Sequence, residues 1–183
     1  MAVNKFFVEI GAANFDTLLN LAKQGWSGIV VEPVPYLSKE LSTMFEGLDV
    51  HVYDGAISDF YGTVTMAVGE NEGWLTGASH IIDDHSIGFK LSSHEKNKYR
   101  FQEKIQVKCI TLDDLLKDID HIDFMKVDVE GHELNIFRNY SFRVKPNFIK
   151  VEHKHVDDIE LKSILEDKGY IVWTEPDDIY AVC

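Results

Sequence analysis

The sequence predicts a single α/β domain spanning residues 1–183, built on a mostly parallel sheet covered on both faces. An antiparallel pair of strands closes it at the C-terminal end, and a β-hairpin and loop insertion interrupts its middle. Three observations predict this. The 183 residues fit one domain at about 150 residues per domain. Short apolar runs alternate with amphipathic stretches, and the runs are apolar throughout, as strands buried on both faces must be. Several of these runs end in an acidic residue, and ligands of open parallel sheets sit outside the carboxyl ends of the strands.

Lys5 to Ile10 reads as a buried strand ending at Gly11. Phe15 to Gln24 reads as a helix, with Leu18, Leu19, Leu21 and Ala22 on one face, Asn14 or Asp16 as its cap and Gly25 as its stop. Gly28 to Glu32 is the second strand, ended by Pro33. Tyr36 to Phe45 carries Leu37, Leu41, Met44 and Phe45 at helical spacing, and Val50 to Tyr53 is the third strand, running into Asp54-Gly55-Ala56. In the middle, Gly62 to Val68 and Ile105 to Ile110 read as strands. Residues 69–104 are largely polar, a long stretch with little pattern, and so the candidate for a mobile substrate loop. Alternation then resumes with a short capped helix from Thr111 and a strand from Ile122 to Asp128. A helix over Glu133 to Asn139, a strand from Asn147 to Glu152 and a helix over Asp157 to Lys168 follow. Tyr170 to Trp173 and Ile179 to Val182 form the closing antiparallel pair.

Composition narrows the function. Hydrophobic residues at 45% and charged residues at 27% are ordinary for a globular protein and exclude disordered and collagen-like classes. The net charge of −13 repels phosphate backbones and anionic lipid, so nucleic acid and membrane surfaces are poor partners. Cys109 and Cys183 are too few and too distant for a disulfide framework or zinc motif, which suits a reducing cytoplasm. The apolar stretch near the start, Phe6-Phe7-Val8, is too short for a signal peptide, which also points to a cytoplasmic protein.

The strand ends carry the chemistry. A dinucleotide fingerprint needs Gly-x-Gly-x-x-Gly for the backbone to approach a pyrophosphate, and here the turn reads Gly11-Ala12-Ala13-Asn14-Phe15-Asp16. Glu9 at that turn would repel a pyrophosphate and favour a cofactor bearing positive charge. S-adenosylmethionine, with an ammonium and a sulfonium and no phosphate, fits. Glu32 follows at roughly the 20-residue interval of a ribose-binding acid, and two acceptor oxygens match a diol. Asp54 can accept from an adenine amino group, with small Ala56 leaving room for the ring.

Five blocks occur in order: Val8-Glu9-Ile10-Gly11-Ala12, Val31-Glu32-Pro33-Val34-Pro35, Asp54-Gly55-Ala56-Ile57-Ser58, Thr111-Leu112-Asp113-Asp114-Leu115, and Met125-Lys126-Val127-Asp128-Val129-Glu130-Gly131-His132-Glu133. The series resembles the FkbM family of S-adenosylmethionine-dependent methyltransferases over nearly the whole chain. The resemblance implies a seven-stranded Rossmann-like class I sheet with an antiparallel last strand. It also implies O-methylation of a hydroxyl, often on a sugar or polyketide. Carried over by motif, Glu9, Gly11, Glu32, Asp54 and Ala56 bind the cofactor, joined by Ala12, Pro33 and Gly55 of the same turns; Asp128 and Glu130 lie at the reaction centre. Phe15 stands where the family has a second glycine, and the chain starts at the first strand, which shifts acceptor recognition to the middle stretch.

Methyl transfer to a hydroxyl needs positioning and a base. Asp128, Glu130, Glu152 and His153 are the candidates, with His155 as an alternative. Asp128, Glu152, His153 and His155 could instead gather a divalent cation, although two histidines at a strand end are more often plain surface residues. Trp74 beside Gly77, Ala78 and Ser79 suits stacking on a sugar, and Lys126, two residues before Asp128 on the same face, is a further substrate candidate. His80, Asp83, Asp84 and His85 form a weaker metal pattern. The competing classes are a non-catalytic S-adenosylmethionine-binding module and an NAD or nucleotide-sugar enzyme on a similar sheet. The missing glycines and Glu9 speak against the second.

Overall fold

The structure, a computed structural model, describes residues 5–15, 17–69, 79–82 and 101–183, with only the backbone for 101–103. The chain runs β1 (Phe6–Ile10), α1 (Leu19–Lys23), β2 (Ser27–Glu32), α2 (Pro35–Met44), β3 (Val50–Asp54), β4 (Ala56–Ile57), β5 (Gly62–Gly69), β6 (His80–Ile81) and β7 (Phe101–Ile110). It continues with α3 (Leu112–Leu115), β8 (Phe124–Val127), α4 (Glu133–Asn139), β9 (Phe148–Glu152), α5 (Asp158–Asp167), β10 (Ile171–Thr174) and β11 (Asp178–Val182).

Seven strands form the main sheet in the order β10-β11-β9-β8-β1-β2-β3. The five from β9 to β3 are parallel, and β11 runs against both β9 and β10. This is the Rossmann-like arrangement with the expected closing antiparallel pair. Alternation sorts the side chains to two faces. Val8, Ile10, Val31, Met125, Val127, Ile149 and Val151 join Leu112, Leu134, Phe137, Leu161 and Leu165 of α3, α4 and α5 in the largest core cluster. Phe7 and Val30, on the opposite face, pack with Ala22 of α1 and with Leu41 and Phe45 at α2. Glu9 and Glu32 follow Phe7 and Val30 by two positions and so share that second face at the carboxyl ends of their strands.

One element departs from expectation. The first helix is only Leu19–Lys23, because the Glu9 carboxylate takes the Leu18 N–H (2.9 Å) and the Thr17 hydroxyl (2.7 Å) and holds the preceding residues in a loop. Asn14 does not cap it; its amide donates to Glu40 at 2.7 Å, and Asp16 lies outside the described residues. The expected hairpin in the middle is present, and 70–78 and 83–100 of the expected loop lie outside the described residues. β5 and β7 pair antiparallel, and β4 and β6 flank them in a second sheet of order β4-β7-β5-β6, so strand structure extends into 69–104 at both ends and at His80–Ile81. Thr111 and Asp157 cap α3 and α5 as their sequence positions suggest.

Candidate active site at the carboxyl edge of the parallel strands

From β1 the chain builds outward through β2 and β3, then returns to place β8 on the other side of β1. The strand order therefore reverses between β1 and β8, where parallel sheets open a crevice for ligands. Gly11 sits at this point with φ +78°, and a Cβ there would lie 1.7 Å from the Asp128 carbonyl oxygen. Only glycine fits so close an approach in that conformation. The Gly11 and Ala12 N–H groups donate to the Val31 carbonyl (3.1 and 3.3 Å), while the Asp128 N–H donates to Ile10 (2.9 Å). These bonds fix the β1 turn between its two neighbours.

Glu9 has no solvent exposure and faces inward. Besides Thr17 and Leu18, it meets Lys126, whose Nζ is 3.4 Å from Oε1. Burial drives the Glu9 carboxyl upward, against the pull of Lys126 and its hydrogen bonds. Lys126 itself is buried, so the residue expected to face substrate lies within the sheet face as an ion-pair partner.

Glu32, also buried, accepts the Val34 N–H on Oε1 (2.8 Å) and the Ala13 N–H on Oε2 (3.0 Å). Burial pushes its carboxyl up to about 7. Each oxygen keeps a lone pair for a second donor, so the group fits a ribose diol. Asp54 lies opposite Glu32 in the β2–β3 register and is exposed. Gly55 and Ala56 are buried beside it, Pro33 is half-buried, and a Cβ at Gly55 would meet the Tyr53 ring at 2.7 Å. Tyr36 of α2 has its hydroxyl shut from solvent with no hydrogen-bond partner among the described residues, and Glu32 is close enough to help raise its pKa.

A second group of acids forms past β8 and at the end of β9. Burial, then the neighbouring Glu130, raises Asp128 to about 6. Burial, then Asp128, Glu130 and Glu133, raises Glu152 to about 8. Its Oε2 is shut from solvent with no hydrogen-bond partner among the described residues, while Oε1 lies 3.5 Å from Lys154 Nζ. His155 Nε2 is 3.3 Å from Glu130 Oε2, and that hydrogen bond raises the imidazole pKa. Glu130, Glu152 and His155 offer ligand atoms within 4.8 Å of one another, the grouping among the described residues able to hold a divalent cation. Asp128 and His153, which the sequence offered as possible ligands without favouring a metal, are not in this grouping. His153 turns to the β10–β11 loop, with Nε2 3.1 Å from the Glu175 carbonyl and its N–H donating to Asp177. The strand ends at Glu152, so the alternation that would have kept His153 and His155 on one face no longer applies.

Of the other expected substrate contacts, Ser79 is among the described residues. The Ser79 hydroxyl accepts the Gly69 N–H at 3.1 Å, and His80 is buried in β6. Trp74, Gly77, Ala78, Asp83, Asp84 and His85 fall outside the described residues. Two features escaped the sequence reading. Ser58 and His132, both buried, share a hydrogen bond of 3.1 Å that ties the loop after β4 to the start of α4. Glu133, at the first position of α4, turns a fully buried carboxylate back onto the preceding turn. The acid three residues after Glu130 in the last motif block was the available signal for it.

The sequence profile of the methyltransferase FkbM domain matches residues 9–172. No curated protein sequence matches the chain. Among solved structures, a precorrin-8w decarboxylase from Methanobacterium thermoautotrophicum is similar at TM-score 0.48 and 12% identity, over 98% of this chain and 80% of that one. A chain of the fibrillarin/Nop5p complex is similar at 0.47 and 13%, over 97% and 71%. An S-adenosylmethionine-dependent methyltransferase from Leishmania major is similar at 0.45 and 10%, over 98% of this chain and 64% of its own.

Proposed function

The chain belongs to the FkbM family of S-adenosylmethionine-dependent methyltransferases, and from that premise we propose that it methylates a hydroxyl of a small molecule or glycan. The observation that supports this is the division of acids about the β1–β8 crevice. Glu32 and Asp54 stand on the β2–β3 side, while Asp128, Glu130 and Glu152 stand on the β8–β9 side.

S-adenosylmethionine supplies an electrophilic methyl group on a sulfonium when bound. In this reading Glu32 takes the ribose hydroxyls on its remaining lone pairs, and Asp54 orients the adenine edge. Gly11 holds the β1 turn tight against the Asp128 carbonyl beside the cofactor, and small Ala56 leaves room for the adenine ring. Asp128 holds the acceptor hydroxyl and takes its proton. With a carboxyl near 6 it is mostly ionised at neutral pH yet basic enough to accept. Glu152, near 8, is mostly protonated there and can donate a hydrogen bond to the acceptor. Glu130 and His155 complete the wall, and with Glu152 they would hold a divalent cation if the acceptor brings one.

Calorimetric titration with S-adenosylhomocysteine, followed by a methyl-transfer screen over sugar and small-molecule hydroxyls, tests the proposal. Asp128→Asn should abolish transfer while keeping S-adenosylhomocysteine affinity within about twofold. Absence of S-adenosylhomocysteine binding to the wild-type protein would refute the function. Unchanged turnover in Asp128→Asn would refute the base.

A further inference from the structure

The turn between β8 and α4 carries both Asp128 and Glu130, and its backbone is unusual. Glu130 has φ +54° and Gly131 φ +101°, so successive residues lie in the left-handed region. A non-glycine residue there is costly and persists only where its surroundings hold it. Glu133 supplies that hold. Its Oε1 accepts the Val129 N–H at 3.0 Å and the Gly131 N–H at 3.3 Å, and its Oε2 accepts the Gly131 N–H at 3.0 Å. The side chain is 1% exposed and does not reach the crevice as a solvent-facing group. A fully buried carboxylate is expensive unless hydrogen-bonded, and here its bonds go to the amides on either side of Glu130.

We propose that Glu133 is a positioning residue: by gripping the Val129 and Gly131 amides it fixes where Asp128 and Glu130 present their carboxyl groups to the reacting centre. This rests on the methyltransferase function proposed above. Glu133 touches neither cofactor nor acceptor and acts through the turn. Glutamine in its place offers one oxygen and turns an NH2 group toward a backbone N–H. Aspartate keeps the charge but is one methylene too short to reach both amides.

The test compares wild type, Glu133→Gln and Glu133→Asp, using S-adenosylmethionine and S-adenosylhomocysteine as calorimetric probes. The first carries a sulfonium and the second a neutral sulfur, so their affinity ratio reads how well the acids face that charge. Both variants should lower the ratio about five- to tenfold. Their S-adenosylhomocysteine affinity should stay within about twofold. Hydrogen exchange at the Val129 and Gly131 amides should quicken about tenfold or more, with Val127 in β8 unchanged. An unchanged ratio, or equal weakening of both probes, would overturn the positioning role. So would a ratio that falls in Glu133→Gln alone, since Glu133 would then act through its own charge. Should Glu133→Gln fail to fold, Glu133→Asp alone decides between a lowered and an unchanged ratio. Failure of either probe to bind wild type would instead refute the methyltransferase function, and the positioning role with it.

Discussion

Replacing Glu32 by glutamine should change the pH dependence of folding in a way that follows from its burial. In the folded chain the carboxyl is raised from 4.5 to about 7, chiefly by burial. That difference corresponds to about 3 kcal/mol between its two protonation states. Between those values the unfolded chain has released the proton and the folded chain still holds it, so stability falls as pH rises. The stabilising share is fully present below about pH 4.5 and is lost as pH rises through 7. Glutamine cannot titrate, so the variant escapes this loss. It loses one acceptor, however, because two backbone N–H groups, Ala13 and Val34, converge on the carboxylate and only one can meet the amide oxygen. That costs about 1–3 kcal/mol. Glu32→Gln should therefore be less stable than wild type at pH 5 and close to it, or more stable, at pH 8. Asp128, Glu133 and Glu152 titrate in overlapping windows and cancel in the difference to the extent that the sites act independently. Urea denaturation followed by circular dichroism at both pH values measures this. Parallel stability profiles for the two proteins would show that Glu32 does not titrate as a buried group.

Lys126→Met should destabilise by about 3–5 kcal/mol, since it strands a buried Glu9 carboxylate. The double variant with Glu9→Gln should recover part of that loss in a double-mutant cycle, and strict additivity would remove the pair from the stability account. Gly11→Ala carries about 1–2 kcal/mol of left-handed backbone strain before any clash is counted. Its Cβ would also overlap the Asp128 carbonyl, so S-adenosylhomocysteine binding should disappear; calorimetry showing wild-type affinity would contradict that packing. Thr111→Ala should cost about 1 kcal/mol through loss of the α3 cap, read as a lower melting temperature with unchanged ligand affinity.

The parallel strands were legible because each is a short, mainly apolar run broken by single polar residues such as Lys126 and Lys150, and Glu32, Asp128 and Glu152 were legible because they end such runs. What escaped depends on where side chains go after the strand stops. His153 and His155 look equivalent in sequence, yet the turn after Glu152 sends one to Glu175 and brings the other to Glu130. The start of α1 was misplaced because a side chain from β1, not a local cap, holds the Leu18 N–H. Glu133 was read only as the start of a helix, and its bonds to Val129 and Gly131 emerge only once the turn folds back. The short strands β4 and β6 carry too few residues for a periodicity to declare itself.

The absence of a side chain at Gly11 leaves no gap between its turn and the one that bears Asp128. The two segments are stacked like adjoining stones in an arch, and neither can be lengthened or reshaped alone. Loop grafts through residues 128–132 would disturb the Gly11 turn as well. Engineering of this scaffold should treat both segments as one exchangeable cassette.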